Sequence, residues 1–149
     1  MASTISAARA ALFALLDAHA YPGAAPQVTF GPPADYEQQE VVAMRGVESP
    51  DEEPAVIGGP RPRNEQFVII VDVKAHDPAG TAASVDARGW ALMDEVREVV
   101  YADADLSGSL GTAGWARIAS QTSDGALSAE GGGWVFFGTV RILCQARIA

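Results

Sequence analysis

The groups in this chain that could do chemistry are mostly carboxylates. Asp103-Ala104-Asp105 and Asp51-Glu52-Glu53 are its two acidic clusters. Paired carboxylates can act as general acid and general base, and three or more oxygens can make a weak calcium site at Asp103-Ala104-Asp105. That stretch, however, lacks the length and the closing glutamate of an EF-hand loop. Both clusters read more simply as a helix stop and a solvated loop. His19 and His76 lie far apart and flank predicted elements, so they compose no ligand set. The single cysteine, Cys144, excludes an intrachain disulfide and the usual thiolate zinc site. It falls in a predicted strand, as a small buried apolar residue would. There is no phosphate-cradling G-x-x-x-x-G-K-[ST] loop and no G-x-S-x-G elbow. Gly108-Ser109-Leu110-Gly111 reads as a turn, because no strand leads into it and no helix opens from it. No catalytic residue, cofactor or metal site is assigned from these patterns.

The elements that position these residues centre on Phe67–Leu110. Phe67 to Ala75 is rich in β-branched and aromatic residues and reads as a strand. Phe67, Ile69, Val71, Val73 and Ala75 share one face, since strand side chains alternate. Val68 and Ile70 make the first half apolar on the other face too, until Asp72 and Lys74 end that. Val85, Gly89, Leu92, Met93, Val96, Val99 and Val100 then recur at helical spacing. Ser84 is the expected N-cap, and Asp103 to Gly108 stops the helix.

On the N-terminal side, Ser3 or Thr4 caps an alanine-rich helix running to about His19. Its stripe is Ile5, Ala8, Leu12, Leu15 and Leu16. Short strands are expected at Gln27–Phe30 and Glu40–Val47. Glu48 to Asn64 is a long acidic loop with four prolines, longer than connections usually are. On the C-terminal side, Trp115–Gln121 and Trp134–Ile148 are expected to pair as an antiparallel hairpin across a polar, glycine-rich tip at Thr122–Gly133. Trp134, Phe136, Val140, Ile142, Cys144, Ala146 and Ile148 share one face. The order is helix, two strands, long loop, strand, helix, two strands. That predicts an α+β fold: two helices packed on a mainly antiparallel sheet.

A chain of 149 residues is expected to form one domain, 1–149, and can bury roughly 70% of its unfolded surface. The formal net charge of −9 opposes nonspecific nucleic-acid binding and docking on an anionic membrane. The start does not read as a signal peptide and no run reaches a membrane span, so a soluble protein made in the cytoplasm is expected.

Several segments in order resemble the tail terminator (tail completion, or neck) proteins of long-tailed bacteriophages, especially those of actinobacterial phages and prophages. They are Val28-Thr29-Phe30-Gly31-Pro32-Pro33; Glu40-Val41-Val42 with Gly46; and Arg63-Asn64-Glu65-Gln66-Phe67 leading to Val73. Ala91 to Val96, Asp103 to Gly108 and Val140 to Ile148 continue the series. The resemblance covers nearly the whole chain and rests on order and spacing. It implies a structural virion protein without catalysis or cofactor. Such proteins form a homo-oligomeric ring, usually a hexamer, that caps the head-proximal end of the tail tube. Its partners would be the tail tube protein and the head-tail connector or stopper protein, with DNA passing through the lumen without specific binding. Its place would be the neck of the virion, after assembly in the bacterial host cytoplasm. The sequence departs from the family in the length and acidity of Glu48–Asn64 and in the glycine-rich tip before Trp134.

Under this reading Arg61 and Arg63 are candidate contacts to acidic groups of the next subunit. Glu48, Asp51, Glu52 and Glu53 are candidate lumen-facing or connector-facing charges. Two other readings compete. One is a different ring protein of the same assembly, such as a head-tail connector or tail tube subunit. The other is a small α+β ligand-binding domain or enzyme acting through carboxylates, which predicts a closed pocket.

Overall fold

The computed structural model describes residues 4–32, 40–48, 63–111, 113–129 and 132–148. Two helices, α1 (Thr4–Ala18) and α2 (Ala82–Ala102), accompany five strands: β1 (Gln27–Thr29), β2 (Glu40–Glu48), β3 (Arg63–Asp77), β4 (Trp115–Ser128) and β5 (Trp134–Ile148). The strands make one sheet in the order β1-β2-β3-β5-β4. Only β1 and β2 run parallel; β2–β3, β3–β5 and β5–β4 are antiparallel. The fold is therefore α+β, as the pattern of elements predicts.

β3 and β5 are the spine. They pair along their whole length, from Arg63 opposite Ile148 to Asp77 opposite Trp134. This explains why β3 begins earlier than expected. Arg63 to Gln66 are polar and have no strand signal of their own, but the long β5 offers them a ladder. β4 also outruns the expected Gln121 end and continues to Ser128. Its polar second half lies at the sheet edge, where one side of the backbone faces solvent, and two register shifts absorb the extra residues around Ala119 and Asp124-Gly125. The expected Thr122–Gly133 tip thus shrinks to the residues after Ser128.

One face of the sheet holds the core. Phe67, Ile69, Val71, Val73 and Ala75 of β3 and Phe136, Val140, Ile142, Cys144 and Ala146 of β5 are buried there, beside Val42 and Met44 of β2. α2 lays its stripe Val85, Gly89, Leu92, Met93, Val96, Val99 and Val100 on them. Each large side chain so buried contributes roughly 1.5–3 kcal/mol. α1 adds Ala8, Leu12 and Leu16. The start of α2 corrects one expectation. Thr81, not Ser84, is the N-cap: its hydroxyl accepts from the Ser84 amide, and the Ser84 hydroxyl accepts from the Thr81 amide. Ser84 is the reciprocal partner in a capping box.

Two glycines set how closely α2 approaches β5. A Cβ on Gly89 would stand 2.1 Å from the Phe136 ring, and one on Gly138 would stand 2.3 Å from the Met93 sulfur. Each element thus leaves a hole that a large buried side chain of the other fills. The neighbouring Arg88 then ties α2 to the segments around it. Its Nε and one terminal nitrogen donate to the two carboxylate oxygens of Glu40, both at 2.9 Å. The terminal nitrogens also donate to the carbonyls of Pro22 (2.7 Å) and Ala24 (2.9 Å). The hydrogen-bonded Glu40 carboxylate, more than any other cause, raises the Arg88 pKa. A second tie joins His19 Nε2, just after α1, to Glu95 of α2 at 2.6 Å. The Tyr21 ring meets His19 edge-on and its hydroxyl donates to the Leu16 carbonyl.

Two outcomes are expected from this packing. Gly89→Ala should lower the unfolding free energy by about 1–3 kcal/mol in urea titrations, because the fully buried Phe136 ring must shift. Gly138→Ala should cost less, since the flexible Met93 can move aside; a neutral Gly89→Ala would contradict the packing described. The second concerns alkaline pH. Burial first, then Glu95 and Asp17, push the Tyr21 phenol from 10.0 up to about 12. Burial pushes the Cys144 thiol from 9.0 up to about 12. Both groups are raised in the folded state, so their contribution is complete below pH 9 and is lost as pH climbs through 12. The urea midpoint should fall across that window, and Tyr21→Phe should make the fall between pH 10 and 12 shallower.

Candidate functional site

Among the described residues no helix covers the second face of the sheet. Strand alternation brings Val41, Ala43 and Glu48 of β2 to it, with Val68, Ile70, Asp72 and Lys74 of β3. β5 adds Val135, Phe137, Thr139, Arg141, Leu143 and Gln145, and β4 adds Trp115 and Arg117. A register shift between Met44 and Gly46 leaves Arg45 as the extra residue of a bulge, which re-aims its side chain.

Two polar rungs cross this face. In the first, Asp72 accepts from Arg45 Nε on β2 at 2.8 Å and from the Thr139 hydroxyl on β5 at 3.0 Å. In the second, Arg141 of β5 reaches Glu48 of β2 at 2.6 Å. Arg141 is in register with Ile70, and Glu48 with Val68, so this pair spans β3. Ile70, between the rungs, is only 5% exposed although it points away from the helices. Beyond the rungs, Gln66 donates to Gln145 at 3.0 Å, and the Arg117 guanidinium lies 4.8 Å from the Trp115 ring centre.

Beside the first rung lies an open hollow of about 420 Å³, lined by Pro32, Val41, Ala43, Asp72, Phe137 and Thr139, among others. It is not a closed pocket, and both Asp72 oxygens are already hydrogen-bonded, so its carboxylate is poorly placed to act as a base. The largest exposed apolar side chains of this face, Phe137 and Leu127, are each about half exposed. A smaller hollow of about 100 Å³ on the helix side is lined by Glu40, His76, Asp77, Ser84 and Arg88, with Ala75 and Val85. Glu40 and Arg88 are committed to each other there, and His76 Nε2 is buried without a hydrogen-bond partner among the described residues.

The acidic cluster Asp103-Ala104-Asp105 proves to be the builder of a turn. Leu106, Ser107 and Gly108 all have positive φ, at 49°, 58° and 79°. Asp103 accepts from the Ser107 amide and hydroxyl, and Asp105 accepts from the Gly108 amide. The hydrogen bond to Asp105, then that to the Ser107 amide, hold the Asp103 carboxyl below its usual range. These bonds let a left-handed turn bury Leu106 and Leu110. No group of three or more His, Cys, Asp or Glu able to hold a metal gathers among the described residues.

Of the charges singled out from the sequence, Arg61, Asp51, Glu52 and Glu53 lie outside the described residues. Arg63 opens β3 opposite Ile148. Glu48 ends β2, where its carboxylate meets Arg141 of the same chain. Arg45, Asp72, Thr139 and Arg141 were not singled out. The only hint was that Asp72, Lys74, Arg141 and Gln145 interrupt otherwise apolar strands. No protein-family model matches the chain, and no curated protein matches it.

The rungs are exposed enough that water competes with them: the paired side chains retain between 38% and 55% of their accessible surface. A double-mutant cycle on Arg45→Ala and Asp72→Ala should give a coupling of about 1 kcal/mol or less. A coupling well above that in urea unfolding would show a pair shielded from solvent.

Proposed function

We propose that this chain is a structural subunit of a ring that ends a long bacteriophage tail, a tail terminator. The observation that carries this reading is a long sheet packed by helices on one face and crossed on the other by side-chain rungs, with Phe137 half exposed beside them. Such a subunit has a helix-covered core on one side and, among the described residues, a second face that no helix covers. The segments that resemble tail terminators support it by their place in the fold. Val28 and Thr29, which open the first of these segments, end β1, and Gly46 sits at the β2 bulge. Arg63 to Val73 is most of β3, Ala91 to Val96 the middle of α2, and Val140 to Ile148 most of β5. Head-to-tail contact between such subunits closes into a ring when the rotation allows it. The tail tube protein on one side and the head connector on the other would be its partners. The net charge of −9 suits a lumen that DNA crosses without sticking.

The test is the solution mass of the purified protein by light scattering over a range of concentration and salt, followed by electron microscopy of the assembled fraction. A discrete species near six subunits with ring-shaped particles is the expected result. Long tubes would favour a tail tube subunit instead. Tight, saturable binding of a small ligand in the 420 Å³ hollow, with no ring, would favour the ligand-binding alternative.

A further inference from the structure

One dipeptide of this chain carries a reaction that needs no partner. Asp124-Gly125 is the only place where an aspartate precedes a glycine, and no asparagine does so. The nitrogen of the next residue can attack an aspartyl carboxyl when that residue has no side chain to obstruct the approach. The fold requires glycine here for its own reasons. Gly125 has a φ of 79°, which strains other residues, and a Cβ on it would stand 3.2 Å from Asp86 Oδ1 on α2.

The dipeptide also sits where the strand ladder lets go. Ser123 is opposite Gly138 and Ala126 is opposite Phe136, so Asp124 and Gly125 together face Phe137 as a bulge. β4 is the outermost strand on its side of the described sheet. Asp124 is exposed, and among the described residues its carboxylate has no hydrogen bond or ion pair. The attacking nitrogen is held by a side chain: the Gly125 amide donates to Ser123 Oγ at 3.0 Å. That hydroxyl in turn donates to the Phe137 carbonyl at 2.8 Å. Other aspartates are placed differently. Asp86 and Asp94 lie within α2, where helical hydrogen bonds hold the following amide. Asp72 is committed to Arg45 and Thr139, and Asp103 and Asp105 to the turn that they build. Asp77 precedes Pro78, which has no N–H to lose.

We infer that Asp124 is a site of spontaneous modification, converting slowly to isoaspartate, with the Ser123 hydroxyl as the restraint on its rate. The Gly125 nitrogen bonds to Asp124 Cγ. The hydroxyl of the carboxyl group and the amide proton leave together as water, which gives a five-membered succinimide. Water then adds back at either ring carbonyl. At one it restores aspartate, and at the other it leaves Asp124 joined to Gly125 through Cγ. Solvent water is the only co-reactant. The product adds one backbone atom where β4 already sets two residues against one, and the inference is independent of the ring reading.

The test incubates the purified full chain at neutral pH and physiological temperature and cuts samples with trypsin. Arg117 and Arg141 bound a peptide, 118–141, in which Asp124 is the only aspartate. The expected result is a second form of this peptide, equal in mass and separable by chromatography. It should be methylated by an isoaspartyl methyltransferase and should grow with time. Asp124→Glu should abolish it. Ser123→Ala, which frees the Gly125 amide, should speed its growth by roughly twofold to tenfold, the worth of one neutral hydrogen bond. Circular dichroism checks that both variants keep the fold. Native and urea-unfolded wild type are compared as well, which decides the matter without any variant. Product formed only in urea overturns the inference, because the fold then shields the site. Equal product at the other aspartates of the native chain overturns it too. An unchanged rate in a folded Ser123→Ala variant overturns the role given to Ser123.

Discussion

The structure depends on how near α2 can come to the centre of the sheet. Gly89 and Gly138 settle that distance between them. One opens a space in the helix for Phe136, the other a space in β5 for Met93. A side chain at Gly89 would push the helix off the Phe136 ring and loosen the stripe from Val85 to Val100, whereas one at Gly138 would displace the more flexible Met93. The interlock also fixes rotation, because a large residue seated in a hole permits little sliding. Arg88 immediately precedes Gly89. With the helix held at that depth, its guanidinium reaches Glu40 on β2 and the carbonyls after α1 together. Burial places the helix, and the charged node then gathers the segments that have little core of their own.

Much of this architecture was legible in the sequence. Element order, the apolar stripe of α2, the inward face of β5 and the burial of Cys144 all follow from periodicity, because burial on one face imposes period on the residues that supply it. What could not be read was partnership. Arg63 to Gln66 carry no strand signal, and only β5 makes them a strand. The polar half of β4 reads as loop because an edge strand needs few apolar residues. Thr81 and Ser84 are both good caps, and only the geometry says which one closes the box. The surface rungs were hidden for the same reason. Arg45 meets Asp72, and Arg141 meets Glu48, through register and one bulge, which composition does not encode.

The division of labour between the two faces follows from the same economy of core. Two helices are enough to cover one side of a five-stranded sheet. Among the described residues no helix lies on the other side, where side chains of the sheet itself pair across the strands. Ion pairs and aromatic contacts across the strands do this while leaving the surface rugged and charged. Asp103 and Asp105, the most conspicuous acids of the chain outside the long loop, serve instead to turn the chain after α2. Backbone geometry absorbs the carboxylates that looked most chemical.

The place of β5 has a consequence for biosynthesis. It follows all the other described strands in the chain, yet it lies between β3 and β4 in the sheet. While the polypeptide is emerging from a ribosome, β3 has no neighbour on that side and β4 has no partner at all. The spine therefore forms only after Ile148 is free, through contacts between distant parts of the chain, which makes folding a late and comparatively slow event. A prematurely terminated product would lack the middle of its sheet and would present no finished surface to a neighbour. Completion of the sheet thus acts as a checkpoint that keeps fragments ending before β5 out of any assembly the whole chain enters.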